Sequence, residues 1–194
     1  MKAWQTHLAA AILATPLLGG CVGLLLGGTA VGVGMAHDRR TTGTVVDDQT
    51  IRFRLSNALN AGLPPGNHIN IASYNGAVLL TGEAGTEQAK QQAEAIARAI
   101  DPPVREVYNE LVIAPPSPLS SRTNDTLLTT KVKAALVPIR TIPGFDPTRV
   151  KVVTERGVVY LMGLVHQQEA DAAANAVSQV GGVSQVVTLF EFIR

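Results

Sequence analysis

Among the side chains of this 194-residue chain that could carry chemistry, the single cysteine, Cys21, occupies the most informative position. It follows Gly19 and Gly20 and an uncharged apolar run of 11 residues, Leu8 to Leu18. That run matches the apolar core of a secretory signal and is too short to cross a bilayer. A thiolate is a strong nucleophile, and a lone cysteine has no intrachain disulfide partner. The arrangement therefore predicts lipid attachment at Cys21.

The segment Leu-Gly-Gly-Cys resembles a bacterial lipobox. This resemblance implies that residues 1–20 are removed as a signal peptide and that Cys21 carries acyl chains, several of which anchor a protein stably. Val22, rather than aspartate, follows the cysteine, which by the same resemblance favours the outer membrane over the inner one. The alternative is a transmembrane anchor, because 8–36 contains no charged residue. Pro16 and the many glycines of that stretch weigh against it.

Other chemistry is poorly supported. The four histidines lack metal-ligand spacing, and no Gly-x-Ser-x-Gly motif is present. Asp47 and Asp48 are adjacent and do not face each other on a helix, so Asp48 reads as a helix N-cap rather than half of a catalytic pair. We expect no enzymatic activity, no metal and no cofactor. Residues 22–194 carry 15 basic and 15 acidic side chains, which argues against a nucleic-acid partner.

The elements that must position any site occur twice. "NGAVLLTG" (75–82) and "RGVVYLMG" (156–163) align at an offset of 81 residues, and similar offsets align the flanking segments. The stretch 114–121, "APPSPLSS", is typical of a linker. The repeat predicts an organisation of five segments: signal peptide 1–20, lipidated cysteine and tether 21–46, first domain 47–113, linker 114–121 and second domain 122–194.

Each copy has the same predicted element order. Apolar residues four apart predict a first helix, capped by Asp48 in one copy and Asp125 in the other. A hairpin turning at Gly76 or Gly157 follows, its second strand ending at Gly82 or Gly163. An alanine-rich helix and a last strand complete an αββαβ unit. We expect an α+β fold in which a three-stranded mixed sheet packs on two helices.

This pattern resembles the BON domain, and two such units behind a lipobox resemble the dual-BON-domain outer-membrane lipoproteins associated with cell division and envelope stress. The resemblance rests on "VDDQTI", "VYNE", "SRTNDTLLTTKVKAAL" and "VYLMGLV". It implies a non-enzymatic protein that faces the periplasm, binds anionic phospholipid and supports outer-membrane integrity. The alternative is an interaction module that docks on the outer-membrane protein assembly machinery through the first domain's sheet face. In that copy Glu106, Tyr108 and Glu110 alternate, forming either a solvated face or a contact with the other domain or a partner.

The two copies differ in charge and in their first helices. Domain 47–113 has 5 basic and 8 acidic residues, whereas 122–194 has 8 basic and 6 acidic residues. At 100° per residue, a second face of the later helix carries apolar side chains flanked by lysines, as interfacial membrane contacts require. The matched positions in the first copy are Thr50, Phe53, Asn57 and Asn60. The resemblance assigns lipid contact to this later helix, and the family has tryptophan where this chain has Leu127. The phospholipid site predicted on this helix comprises Leu127, Thr130, Lys131, Lys133, Ala134 and Val137. The other interpretations are that this face packs on the first domain, or that its apolar side chains are ordinary surface leucine and valine.

Overall fold

The computed structural model describes residues 38–139 and 142–193. The predicted signal peptide and Cys21 lie outside these residues. Both repeats belong to one compact unit, His37–Arg194. Within the described residues, no helix is long and apolar enough to span a bilayer.

The first repeat begins with helix α1 (Thr42–Gly62), followed by strands β1 (His68–Tyr74) and β2 (Ala77–Ala84). Helix α2 (Glu87–Arg98) then crosses to β3 (Glu106–Asn109) and β4 (Val112–Ile113). β1 and β2 are antiparallel, whereas β3 and β4 both pair parallel to β2 in one continuous register. The single last strand predicted for this copy is therefore interrupted at residues 110–111.

The second repeat has the same order. It contains α3 (Leu119–Leu136), a 3₁₀ turn (Pro147–Arg149), β5 (Lys151–Glu155), β6 (Val158–Val165), α4 (Gln167–Ser178) and β7 (Gln185–Phe192). β5 and β6 are antiparallel, and β7 runs parallel to β6 without a break. The α+β fold and the αββαβ order are confirmed.

Both first helices start earlier than predicted. α1 begins at Thr42, inside the segment predicted as a tether, and its N-cap Thr41 accepts a bond from the Thr44 N–H at 3.1 Å. α3 begins at Leu119, inside the predicted linker, after Pro118. Asp48 and Asp125 therefore lie within helices, and their prediction as N-caps is wrong.

The two aspartates cap the hairpin turns instead. Asp48 accepts the backbone N–H groups of Asn75 and Gly76 at 2.7 and 2.9 Å, and Asp125 accepts those of Arg156 and Gly157, both at 2.9 Å. Each turn has positive φ at both central residues (Asn75 53°, Gly76 77°; Arg156 52°, Gly157 76°), as type I′ turns require. The turn positions predicted for Gly76 and Gly157 are confirmed. In each repeat, the two backbone N–H groups at the centre of the turn donate to a buried aspartate on the first helix.

Gly82 and Gly163 do not end their strands, since β2 continues to Ala84 and β6 to Val165. A Cβ on Gly82 would lie 2.1 Å from the His68 carbonyl oxygen, and one on Gly163 would lie 2.7 Å from that of Arg149. These glycines permit a close approach of the neighbouring backbone inside the hairpin rather than a chain reversal.

The core has three parts because the central strands bury both faces. On β2, Val78 and Leu80 face α1 and α2, while Leu79 faces the other repeat. On β6, Val159 and Leu161 face α3 and α4, while the intervening residues face the first repeat. The two sheets thus pack on each other, with the helices outside. The cluster between the sheets, called here the sheet interface, is centred on Ala72, Tyr74, Leu79, Tyr160 and Met162.

Candidate functional site

Helix α3 has one face in the core and one outside it. Leu128, Val132 and Leu136, spaced by four residues, are 7%, 0% and 1% exposed and pack on the second sheet. This spacing places one apolar stripe along the helix. The stripe fixes the rotation of α3 and so decides which side chains can meet a ligand.

All six side chains predicted for the phospholipid site are exposed. Leu127 is 57% exposed and Val137, which follows the last residue of α3, is 61% exposed. Neither Lys131 nor Lys133 forms an ion pair within the part of the chain that the structure describes. The alternative that this face packs on the first repeat is wrong. The structure brings together the exposed members Leu127, Thr130, Lys131, Lys133, Ala134 and Val137.

The matched face of α1 is less polar than the sequence comparison suggested. Phe53, which corresponds to Thr130, is 69% exposed, and Val46 is 56% exposed. The other matched positions are Thr50, Asn57 and Asn60, so the second half of this face is polar. Apolar exposure is therefore present in both repeats, but only α3 combines it with two unpaired lysines.

The sheet interface covers the outer face of the first sheet. Tyr108 packs there with side chains of β5, β6 and β7, so the interdomain interpretation of this residue is correct. Glu106 and Glu110, on the same strand face, are exposed. Because the second repeat occupies most of this face, it is not available as the docking surface that the alternative function required.

Buried polar groups close one side of the sheet interface. The Glu83 carboxylate accepts the Ser117 N–H at 3.1 Å and Arg156 Nη1 at 3.2 Å, and its Oε2 lies 3.0 Å from His68 Nδ1. Burial alone would raise the pKa of Glu83, but these hydrogen bonds outweigh burial and lower it. Burial raises the pKa of Glu155 instead, and the hydrogen bond that it accepts from Asn70 Nδ2 at 2.6 Å opposes this only in part.

His68, Glu83 and Glu155 also have the residue types of a metal site, with ligand atoms within 4.8 Å of one another. Each of these side chains already has a protein partner, and Arg156 brings a positive charge to Glu83. We therefore assign these residues to the contact between the repeats and not to a metal.

Sequence reasoning missed the residues of the sheet interface, among them Tyr74 and Tyr160, and Lys151, whose ammonium group bonds the Ser73 carbonyl of the first repeat. A signal was present: "VVYLM" (158–162) is a continuous apolar run, which is typical of a strand buried on both faces. Its partner could not be identified from the run itself, because a second sheet, a helix or another chain would each bury such a strand.

The sequence model of the BON-domain family matches this chain twice, over residues 47–115 and 124–194. The chain therefore belongs to the BON-domain family. It is 39% identical to the protein named outer membrane lipoprotein DolP of Haemophilus influenzae, over 96% of this chain and 95% of that one. It is 34% identical to a 21 kDa hemolysin of Actinobacillus pleuropneumoniae, over 81% of this chain and 80% of that one. The predicted class, an outer-membrane lipoprotein with two BON domains, is confirmed.

Among solved structures, the chain is similar to the C-terminal domain of CdsD, a structural protein of the type III secretion system of Chlamydia trachomatis. The identity is 12% and the TM-score 0.29, over 72% of this chain and 96% of that one. A second CdsD structure gives 13% identity and a TM-score of 0.26.

Proposed function

We propose that this outer-membrane lipoprotein binds anionic phospholipid through the exposed face of α3 and thereby supports outer-membrane integrity. One observation carries the proposal: Leu127 and Val137 are exposed at the two ends of a helical face that also carries the unpaired Lys131 and Lys133. Apolar side chains can enter the acyl region while ammonium groups meet phosphate. Each well-placed cation contributes about 1 kcal/mol near a negatively charged membrane surface.

The acyl anchor proposed at Cys21 would make weak binding sufficient. A short flexible tether holds a domain at an effective concentration of up to about millimolar. An intrinsic dissociation constant near 1 mM, or about −4 kcal/mol, then gives substantial occupancy. Leu127 also lacks the polar edge that makes tryptophan suited to the membrane interface, so we expect weaker binding here than in relatives with tryptophan.

The second candidate function is docking on the outer-membrane protein assembly machinery. Its predicted surface, the first sheet's outer face, is largely occupied by the second repeat. One observation supports this second function: Val46 and Phe53 are both exposed on α1. Exposed apolar side chains in one region can mark a protein contact. A docking module would show no preference for anionic over zwitterionic lipid.

The lipid function is tested with Leu127→Glu in residues 37–194, a segment that forms a compact unit with its own cores. We expect about a tenfold or larger loss of affinity for phosphatidylglycerol vesicles, because burial of a leucine side chain contributes about 1.5–3 kcal/mol. The fold should be intact because Leu127 is exposed. Vesicle co-sedimentation and circular dichroism measure the two effects.

Two variants control this experiment. Thr50→Glu places the same charge at the matched position of α1 and should leave lipid binding unchanged. Leu128→Glu places it one residue away, in the core stripe, and should unfold the second repeat because a buried charge has no partner there. If Leu127→Glu binds phosphatidylglycerol as well as the parent does, the lipid function of α3 is wrong and docking becomes the leading proposal.

The anchor is tested in cells with Cys21→Ala. Mass spectrometry of the parent should find an acylated Cys21 at the N-terminus and no residues 1–20. The variant should fold but leave the outer-membrane fraction, because a bilayer holds the parent through several acyl chains. Recovery of the parent with an intact Met1 and an unmodified thiol would contradict lipid anchoring.

A further inference from the structure

A groove of about 550 Å³ lies beside the last turn of α3 and includes residues of both repeats. We call it the edge groove. Tyr74 and Arg40 come from the first repeat and its N-terminal flank, and the second repeat contributes the remaining side chains. Its main apolar and cationic side chains are Tyr74, Lys133, Leu136, Val137, Val150 and Lys151.

Lys151 is the unusual member of this groove. It is half-buried on β5, and its ammonium group donates one hydrogen bond, to the Ser73 carbonyl oxygen at 2.9 Å. An ammonium group has three N–H donors. No ion pair joins Lys151 to a carboxylate of the residues that the structure describes. A half-buried cation with donors to spare is a potential partner for an anion.

The surroundings of Lys151 increase its need for an anion. Burial lowers the pKa of Lys151 to about 8, and the positive charges of Arg52, Arg40 and Lys133 act in the same direction. Asp48 opposes them, but this carboxylate already accepts bonds from Arg40, Ser73 and the hairpin turn. An anion in the groove would therefore relieve an electrostatic cost that the protein alone does not remove.

Arg40 does not share this property. Its guanidinium pairs with Asp38 at 2.6 Å and Asp48 at 2.8 Å, and its Cζ lies 3.9 Å from the centre of the Tyr74 ring. The uncompensated cations that line the groove are thus Lys133 and Lys151. Both are lysines, and residues 38–193 contain only two others, Lys90 and Lys131.

We propose that the edge groove binds the phosphate of one anionic phospholipid, with Lys151 and Lys133 at the phosphate and the exposed Val137 along the first part of an acyl chain. This inference rests on the proposed function, because Val137 belongs to both the groove and the exposed face of α3. A small anion would satisfy the lysines but leave Val137, which is 61% exposed, in water. A phospholipid satisfies both.

The test uses Lys151→Met in residues 37–194, with Lys90→Met on α2 as the matched control. Lys151→Met keeps the apolar stem and removes the charge together with the hydrogen bond to the Ser73 carbonyl, so circular dichroism checks that the variant is folded. We expect about a fivefold loss of affinity for phosphatidylglycerol vesicles, as for one membrane-proximal cation. Lys90→Met should bind like the parent, and phosphatidylcholine vesicles should bind all variants equally weakly.

A second measurement follows the Lys151 side chain of the parent directly by NMR. Dihexanoylphosphatidylglycerol below its micelle concentration should raise the Lys151 pKa above about 8, because a bound phosphate favours the charged form. Dihexanoylphosphatidylcholine and inorganic phosphate at the same concentration should not. An equal shift with inorganic phosphate would overturn the acyl contact and leave a simple anion site.

The two proposals fail in different ways. If Lys151→Met binds phosphatidylglycerol vesicles like the parent while Leu127→Glu does not, the groove is not a lipid subsite and the helix face remains one. If both variants bind like the parent, the proposed function itself is wrong. A Lys151 pKa that is insensitive to the anionic lipid also contradicts the groove, whatever the vesicle result.

Discussion

In both repeats an aspartate on the first helix binds the hairpin turn. The two aspartates differ in the other groups that they bind. Asp48 binds the turn of the first repeat and also accepts bonds from Arg40 and Ser73. Among the described residues, the Asp125 carboxylate binds only the turn of the second repeat. There Thr154, the counterpart of Ser73, accepts a bond from Thr129 at 2.8 Å. One repeat thus ties its helix, hairpin and N-terminal flank together through a single carboxylate.

The charge of the outer surface also differs between the two repeats. The first repeat has a net negative charge by sequence, whereas the second carries three of the four lysines between residues 38 and 193 around α3. The fold and the aspartate-bound turn are thus present in both copies. The surface that combines unpaired lysines with exposed apolar side chains is described on the second copy.

The largest expected effect comes from the two aspartates. We expect Asp48→Ala to lower the free energy of unfolding by about 4 kcal/mol, because it removes the acceptor of Ser73 Oγ and of two backbone N–H groups and one of the two carboxylate partners of Arg40. Asp125→Ala should cost about 2 kcal/mol, since it leaves two backbone N–H groups without their acceptor. Urea unfolding of residues 37–194 measures both. Equal losses would show that Arg40 and Ser73 add nothing to the first turn.

The next largest expected change in stability concerns Glu83 and Glu155, one carboxylate from each side of the sheet interface. The lowered pKa of Glu83 means that its stabilisation is complete above the unfolded value of 4.5 and is lost as pH falls through the folded value. The raised pKa of Glu155 means the reverse: its carboxylate destabilises the fold at neutral pH, and stability recovers as pH falls toward 4.5. Glu83→Gln should therefore cost about 2 kcal/mol at pH 7, while Glu155→Gln should be neutral or slightly stabilising.

The pH dependence sharpens this comparison. The difference in unfolding free energy between the two variants should shrink between pH 7 and pH 4, mainly because Glu155 becomes neutral over this range and its penalty disappears from Glu83→Gln. The stabilisation by Glu83 starts to fall only below 4.5. Denaturant titrations at the two pH values measure it. A loss of stability in Glu155→Gln at pH 7 equal to that in Glu83→Gln would mean that Asn70 compensates the burial of Glu155 fully.

Much of the site was predictable because it depends on local periodicity. The four-residue spacing of Leu128, Val132 and Leu136 fixes which side of α3 is buried, and the exposed positions follow by rotation. The hairpin glycines were predictable for the same local reason, since Asn-Gly favours a type I′ turn. The helix starts were not, because Asp48 and Asp125 have the residue type of a cap but find their donors in a turn 27 to 32 residues further along the chain.

By itself, the sequence determined the lipobox pattern at Cys21, the repeat, the αββαβ order and the face of α3 that is exposed. All of these depend on residues near one another in the chain or on its internal similarity. Only the tertiary structure decided that the two sheets pack on each other and that Lys151 lies beside Lys133 and Tyr74 in one groove. The physical reason is that an apolar strand face specifies burial without specifying its partner. The positions of polar groups at such a contact follow from how the two repeats meet, and no local pattern encodes that.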